Sequence, residues 1–518
     1  MSIKPSSRSI AIFLIPVLII VITAFNYYTN SQPRTQEQIP ADEWMVVSPE
    51  TENMDSSQLQ EMMDLITEQD LPVNSVIIIR NGRIVKEEYP SASIGPDTKR
   101  KLYSATKSVT SALIGIAIHE GFIEGVEQKV TDFFPDLTMS DTDDLKQDIT
   151  IEHLLTMTPG YQWSMGDGGR MRATADPVQY VLDKPMVNPP GTVYNYGDGA
   201  PLLLSAVLKE ATGKTTLEFA TEYLFEPLNI TDVYWESRGD QYFAASGLHL
   251  TPRDMAKLGY LFLNDGAWRG NQVIPKEWVE TSTTSHISGP GYIAENECYV
   301  DGYGYLWWVL PQSGVYYASG MYEQRIYVCP ELDLVAVFTS NNSGNDVTTG
   351  LMHRYILPAC DGYTKTLYDE HGVSFYYPRG MSLIEAPYPG TETVSDVSGF
   401  IQMRADYPHE SLTLMWYPAE GATDLETEID ALFSLFESDV TSFERGSYQS
   451  SEINGHEMVS LSANVTENGH TTSGVVGCWL SDDSDRVIIY YYITDPEIFT
   501  QDEIQGEFFE HLSSINAH

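Results

Sequence analysis

The chain has 518 residues, 42% of them hydrophobic, which is enough for packed cores and too long for one ordinary domain, so two or three domains are expected. Asp and Glu number 73 against 29 Lys and Arg, and the formal charge of −44 argues against nucleic acid as a partner and for a solvated acidic surface. Four cysteines (Cys298, Cys329, Cys360, Cys478) at scattered spacing form neither a disulfide scaffold nor a zinc site.

Residues Ile10 to Phe25 are apolar apart from Thr23 and follow Lys4 and Arg8, so residues 1–28 read as a membrane anchor or a signal, with the rest of the chain exported. No small-x-small cleavage site precedes Asn26-Tyr27-Tyr28, which favours an uncleaved anchor. Residues 29–45 are polar and aperiodic, as in a tether. Leu59, Met62, Met63 and Ile66 then recur at helical spacing over Ser56 to Glu68. Two β-rich runs, Ser75 to Arg80 and Arg83 to Tyr89, flank Asn81-Gly82 and predict a hairpin.

Ser104-Ala105-Thr106-Lys107 opens the next predicted helix, in which Val109, Ala112, Leu113, Ile116 and Ala117 form one apolar stripe. A serine hydroxyl is a poor nucleophile at neutral pH, and a lysine one turn later can hold a base against it if its charge is suppressed. The positive end of the helix dipole favours an anionic oxygen there and disfavours a protonated lysine. A Ser and a Lys three apart are ordinarily a solvated pair, so the stretches around them carry the weight.

Asp141, Asp143 and Asp144 read as an acidic helix start, because the loop lacks the glycine and distal glutamate of a calcium site. Thr150 is placed to cap Ile151 to Met157, Leu202 to Ala211 stops at Gly213, and Thr251-Pro252 starts a helix through Leu258 and Leu261. His153 and His249 read as structural residues at helix ends. Gly304 to Leu310, Gly314 to Ala318, Gln324 to Val328 and Leu334 to Phe338 predict an antiparallel sheet, with Trp307 and Trp308 on opposite faces of one strand. From residue 362 to 518 a smaller α+β unit is expected, with a hairpin over Thr366 to Tyr377, a helix over Asp424 to Glu437, a hairpin at Asn468-Gly469, a strand over Arg486 to Tyr492 and a helix over Ile504 to Ile515. It carries no catalytic cluster, and its protein partner, if it has one, is open.

Together with the Ser104 motif, Pro189-Pro-Gly-Thr-Val-Tyr-Asn-Tyr-Gly-Asp-Gly199 resembles the serine β-lactamase and penicillin-binding-protein superfamily, in its class C-like branch of esterases, peptidases and 6-aminohexanoate-dimer hydrolases. The segments Ile149 to Gly160, Ala245 to Gly259, Gly302 to Trp308 and Gln324 to Pro330 look like family segments in family order. The resemblance implies an α/β fold over residues 46–361, an antiparallel sheet flanked by helices with an all-helical subregion. It also implies that Ser104 is the nucleophile and that Lys107 and Tyr196 share the proton traffic, without settling which is the base.

Asp198 stands where the branch has Asn in Tyr-x-Asn, and it either holds Lys107 as a cation, is protonated, or turns away. The family's Lys-Thr-Gly triplet is matched by Ala318-Ser319-Gly320, which lacks the cation. Gly320 keeps the close backbone approach, and the N–H of Met321 would join that of Ser104 in an oxyanion hole. Asp198, Ser319, Gly320, Met321 and Trp307 are the expected substrate-side positions.

The expected function is hydrolysis of an ester or amide bond in a small uncharged substrate through a Ser104 acyl-enzyme, without metal or other cofactor. The protein would be membrane-tethered and face outwards. The alternatives are a D-alanyl peptidase or β-lactamase, and a non-catalytic binding protein that keeps the pocket.

Overall fold

The computed structural model describes residues 44–361 other than 135–143, 165, 289–301, 311–312 and 344–346, and beyond them the strands and the helix named below with short stretches beside them. The membrane segment, Asp141, Asp143, Cys298, Asn468-Gly469 and the helix expected over Ile504 to Ile515 lie outside the described residues. Among the described residues no helix is long and apolar enough to cross a membrane.

Helix α1 (Ser56–Glu68) is capped by Asp55 and buries the predicted stripe of Leu59, Met62, Met63 and Ile66. Strands β1 (Val73–Arg80) and β2 (Arg83–Glu88) form the hairpin, with Asn81 and Gly82 both in the left-handed region at φ 50° and 77°. That is the turn chemistry that Asn-Gly supplies.

A 3₁₀ turn, Tyr103–Ala105, leads into α2 (Thr106–His119). The helical subregion follows with α3 (Ile151–Leu155), α4 (Asp167–Ala173), α5 (Pro177–Leu182) and α6 (Gly199–Thr212), the last stopped by Gly213 at φ 70°. Thr150 and His153 form a capping box at the start of α3. His249, expected at a helix end, lies instead in the short strand Leu248–Leu250 with its Nε2 3.3 Å from the Glu236 carboxylate. Helix α7 (Pro252–Leu263) starts at its Thr251 cap as expected.

The sheet is completed by β3 (Ile287–Ser288), β4 (Gly302–Tyr303), β5 (Trp308–Leu310), β6 (Val315–Gly320), β7 (Gln324–Cys329) and β8 (Leu334–Ser340). Its order is β3-β4-β5-β6-β7-β8-β1-β2, antiparallel throughout. The single strand expected over Gly304 to Leu310 is instead broken by a turn with Leu306 at φ 63°.

Both faces of the sheet are covered, which is why β1 is buried at every position. On one face Gly259 of α7 lies so close to Ile326 and Val335 that a Cβ would come within 2.7 Å of each. On the other, Tyr327 hydroxyl bonds to Thr348 and Thr349 tie down α8 (Val347–Leu351), whose course continues through Met352–Ile356 and Leu357–Ala359. The result is a helix–sheet–helix sandwich with the helical subregion beside it.

A second eight-stranded antiparallel sheet follows a Thr366–Glu370/Val373–Tyr377 hairpin. Its main strands are β9 (Met381–Ala386), β10 (Gly399–Ala405), β11 (Ser411–Pro418), β12 (Ser442–Arg445), β13 (His456–Glu467), β14 (His470–Leu480) and β15 (Arg486–Thr494), with α9 (Leu425–Phe436) inserted after β11. Side chains alternate with a period of two. Ile429 of α9 packs with Val459, Leu461, Val476, Cys478, Val487 and Ile489 on one face. On the opposite face Leu414, Trp416, Val475, Trp479, Ile488 and Tyr490 belong to the same continuous apolar cluster as the first sheet and its helices.

Candidate active site

Helix α2 was expected to be amphipathic, but every residue from Thr106 to Ala117 is buried. In a helix enclosed on all sides polar side chains turn to internal partners, and of those on α2 Ser111 Oγ finds none. Ser108 donates to the Leu306 carbonyl at 2.7 Å, Thr110 to the Ala244 carbonyl at 2.8 Å, and Gly115 leaves room for the Trp278 ring. Its first turn is thus held as a fixed platform. Just before the helix, Tyr103 sits at φ 46°, an uncommon conformation for a bulky residue, and Ser104 remains partly exposed.

Lys107 is 1% exposed and its ammonium donates three hydrogen bonds, to Ser104 Oγ at 3.0 Å, Asp198 Oδ1 at 2.9 Å and the Ala245 carbonyl at 3.0 Å. The Tyr196 side chain is a fourth hydrogen-bonding neighbour of the same nitrogen. The Tyr196 ring lies beneath, with Lys107 Nζ 4.8 Å from its centroid. Burial alone would push the lysine down, but the Asp198 carboxylate and then Tyr196 outweigh it and hold Lys107 above its usual value. Burial likewise pushes Asp198 up, and the Lys107 ammonium, with Arg172 and Lys101 farther out, holds it below the usual carboxylate value. Of the three roles open to Asp198, the geometry is that of the charged partner. The helix start was expected to disfavour a protonated Lys107, and a carboxylate in direct contact outweighs the dipole.

Asp198 occupies the cap position of α6 but spends its side chain on Lys107. Trp163 lies flat on the same segment, where a Cβ on Gly197 would come within 2.4 Å and one on Gly199 within 2.7 Å of its ring. Helix α4 closes over Asp198 from the other side, since a Cβ on Gly168 would stand 3.1 Å from Asp198 Oδ2. That helix is fastened by Asp167, which is 2% exposed and accepts from Ser164, Arg170, Tyr180 and Lys184. Arg172 of α4 and Lys101 both bond to Glu236 at the rim, at 3.1 and 2.7 Å.

The third wall is β6. A Cβ on Gly320 would come within 2.0 Å of the Leu102 carbonyl and 3.2 Å of the Ala105 nitrogen, so the strand end runs directly against the Ser104 turn. Met321 follows, at the same edge. Ser319 is partly exposed and accepts a hydrogen bond from Arg325, its cross-strand partner on β7. Arg325 was missed from sequence, although its register opposite Ser319 follows once the turn Met321–Glu323 is counted as three residues. The triplet lacks its own cation, yet a guanidinium stands behind it, 7% exposed.

Trp307 was expected on the substrate side and is not there. It is 2% exposed and packs in the core against Phe262 and Tyr316, at 4.5 and 5.4 Å between centroids. The turn at Leu306 sets the alternation, and Trp308 is the one that stacks on Tyr196, at 5.7 Å.

The family described as Beta-lactamase matches residues 56–361, which contain this whole constellation. The 6-aminohexanoate-dimer hydrolase of Paenarthrobacter ureafaciens is 26% identical over 285 residues, 51% of this chain and 71% of that protein. An uncharacterised protein of Alkalihalophilus pseudofirmus is 26% identical over 311 residues, 52% of this chain and 84% of that one. A solved structure from Bacillus anthracis, described as a candidate 6-aminohexanoate-dimer hydrolase, superposes with a TM-score of 0.51 at 20% identity, covering 63% of this chain and 89% of that chain, and this likeness speaks for the fold alone. The chain, by the match across more than half its length, belongs to the Beta-lactamase family.

Proposed function

We propose that the protein is a serine hydrolase that cleaves an ester or amide bond through a Ser104 acyl-enzyme. The observation that carries this is Lys107, buried with its ammonium shared among Ser104, Asp198 and a backbone carbonyl beside Tyr196. A lysine held as a cation by the adjacent Asp198 has no lone pair with which to take the Ser104 proton, which leaves the Tyr196 oxygen, once it has given up its own proton, as the acceptor. Lys107 then orients Ser104 and stabilises negative charge on the Tyr196 oxygen.

Attack forms a bond from Ser104 Oγ to the carbonyl carbon as the Ser104 proton passes to Tyr196, and collapse then breaks the bond from that carbon to the leaving oxygen or nitrogen, which takes the proton from Tyr196. Water repeats the sequence to release the acid. Backbone N–H groups at Ser104 and Met321 are the donors available to the oxyanion, and no side-chain cation is needed for that. A small uncharged substrate suits the third wall, because the Arg325 guanidinium is covered and what faces the cleft beside it is the Ser319 hydroxyl. The basic residues and apolar run at the start of the chain support a tethered enzyme facing outwards.

Full-length protein and Ser104→Ala, assayed with p-nitrophenyl esters and simple amides, decide the matter. Loss of at least about a thousandfold in kcat/KM is expected for the variant. Equal turnover by both proteins, or failure of an activated ester or a fluorophosphonate to label Ser104, would point to a binding protein instead. Turnover of nitrocefin at a rate rivalling the esters would point to a β-lactamase.

A further inference from the structure

Among the described residues, twelve that are not glycine have positive φ, and six of those are Asn or Asp, which tolerate it. Of the other six, Arg269 is in a hairpin turn, and the remaining five, Tyr103, Met157, Leu306, Tyr322 and Glu323, all adjoin the candidate site. Met157 holds Asn195 next to Tyr196, and Leu306 holds Ser108 next to Lys107. Backbone strain of this kind costs on the order of 1 kcal/mol per residue and persists where the surroundings enforce it.

In the three-residue turn between β6 and β7 the enforcing contacts are visible. Glu323 Oε1 accepts from the Val347 and Thr348 nitrogens at the start of α8, at 2.5 and 3.3 Å. Gln324, 1% exposed, donates to the carbonyls of Tyr322 and Ser340 at 2.9 and 2.7 Å. The turn is thereby clamped from beneath, while Met321 and Tyr322 above it are 61% and 38% exposed. Tyr322 meets only the edge of Tyr103 among the ring contacts described, at 5.3 Å, and Tyr103 is the neighbour of Ser104. Met321, whose own N–H is an oxyanion donor in the hydrolase reading, and Tyr322, held in the left-handed region at φ 61°, together offer an apolar surface that a ligand at the site would cover.

We propose that Met321, Tyr322 and Tyr103 form the subsite for an apolar acyl group, so that the natural substrate is an ester or amide of a medium-chain or aryl carboxylic acid. This rests on the hydrolase reading above. The side of the cleft follows from the proton path. The leaving atom must receive its proton from Tyr196, so the leaving group occupies that side, with Lys107 and Asp198. The acyl group then departs in the other direction, past Gly320 and over the turn. Sequence reasoning asked only for a small uncharged substrate, and the turn extends that to an elongated apolar one.

The test uses the full chain and compares p-nitrophenyl acetate, butyrate and octanoate, for the wild type, Tyr322→Asn, Tyr322→Phe and Met321→Ser. The wild type is expected to favour octanoate over acetate by about tenfold or more in kcat/KM, the range that a few methylenes supply. Tyr322→Asn and Met321→Ser should each cut the octanoate-to-acetate ratio several-fold, through KM, while Tyr322→Phe keeps it. Because Asn accepts a left-handed backbone, the melting temperature of Tyr322→Asn should not fall, which separates a lost contact from a damaged fold. A flat or declining chain-length profile with Ser104 still acylated overturns the subsite and spares the hydrolase, and so does a wild-type ratio in both truncating variants. Absence of acylation by every ester overturns both.

Discussion

Lys107 and Asp198 are each held in the charged form by the other, and the direction of both displacements sets a pH window. The folded chain favours the Lys107 ammonium more than the unfolded chain does, so its contribution to stability is whole at neutral pH and fades as pH rises through the raised value. Asp198 contributes above the usual carboxylate range and fades as pH falls through its lowered value. Replacing Asp198 by Asn removes the charge that outweighs burial, and Lys107 should then lose its proton at lower pH. The alkaline limb of the kcat/KM profile of Asp198→Asn is therefore expected to move to lower pH, and an unmoved limb would disconnect the two residues. Ser104 and Lys107 were readable from their spacing and Tyr196 and Asp198 only from the resemblance of their segment to a known family, and the structure brings Lys107 together with the other three. The charge state was not readable, because it depends on which of three carbonyl, carboxylate and ring neighbours touches one nitrogen. Trp307 was misplaced for a similar reason, since a single left-handed residue at Leu306 resets which tryptophan faces the cleft.

Helix starts, stops and the β1–β2 hairpin were readable because Thr150, Thr251, Gly213 and Asn81-Gly82 each act locally. The enclosure of α2 was not, since an apolar stripe says which side is certainly buried and nothing about Ser108 or Thr110 finding carbonyls on the other side. Contact between elements also explains why the end of β6 carries glycine. Any side chain at 320 collides with the Leu102 carbonyl, so Gly320→Ala must move either the strand or the Ser104 turn. A loss of about a hundredfold in kcat is expected, the size seen when an oxyanion donor is displaced, with the circular dichroism spectrum retained. Wild-type activity in that variant would show that strand and turn are not coupled.

The two sheets share one apolar cluster through Trp416, Trp479 and Tyr490, each 3% exposed or less, so the part of the chain after residue 361 does not sit apart from the hydrolase core. Alternation in β11, β14 and β15 would have predicted two buried faces, but not what covers them. Removing residues 362–518 uncovers the apolar surface under those rings, and the shortened protein is expected to bind a hydrophobic dye and aggregate, as measured by fluorescence and light scattering. A shortened protein that stays monomeric and keeps its melting temperature would contradict that packing. Among the described residues, α9 packs on one side of the second sheet and the side chains of the other side join the hydrolase core. The outer strands β9, β12 and Gln449–Ile453, the last paired only with β13, are what remain. A macromolecule recruited by this region would have to zip on as an additional strand, read by its main chain, or grip the connecting loops.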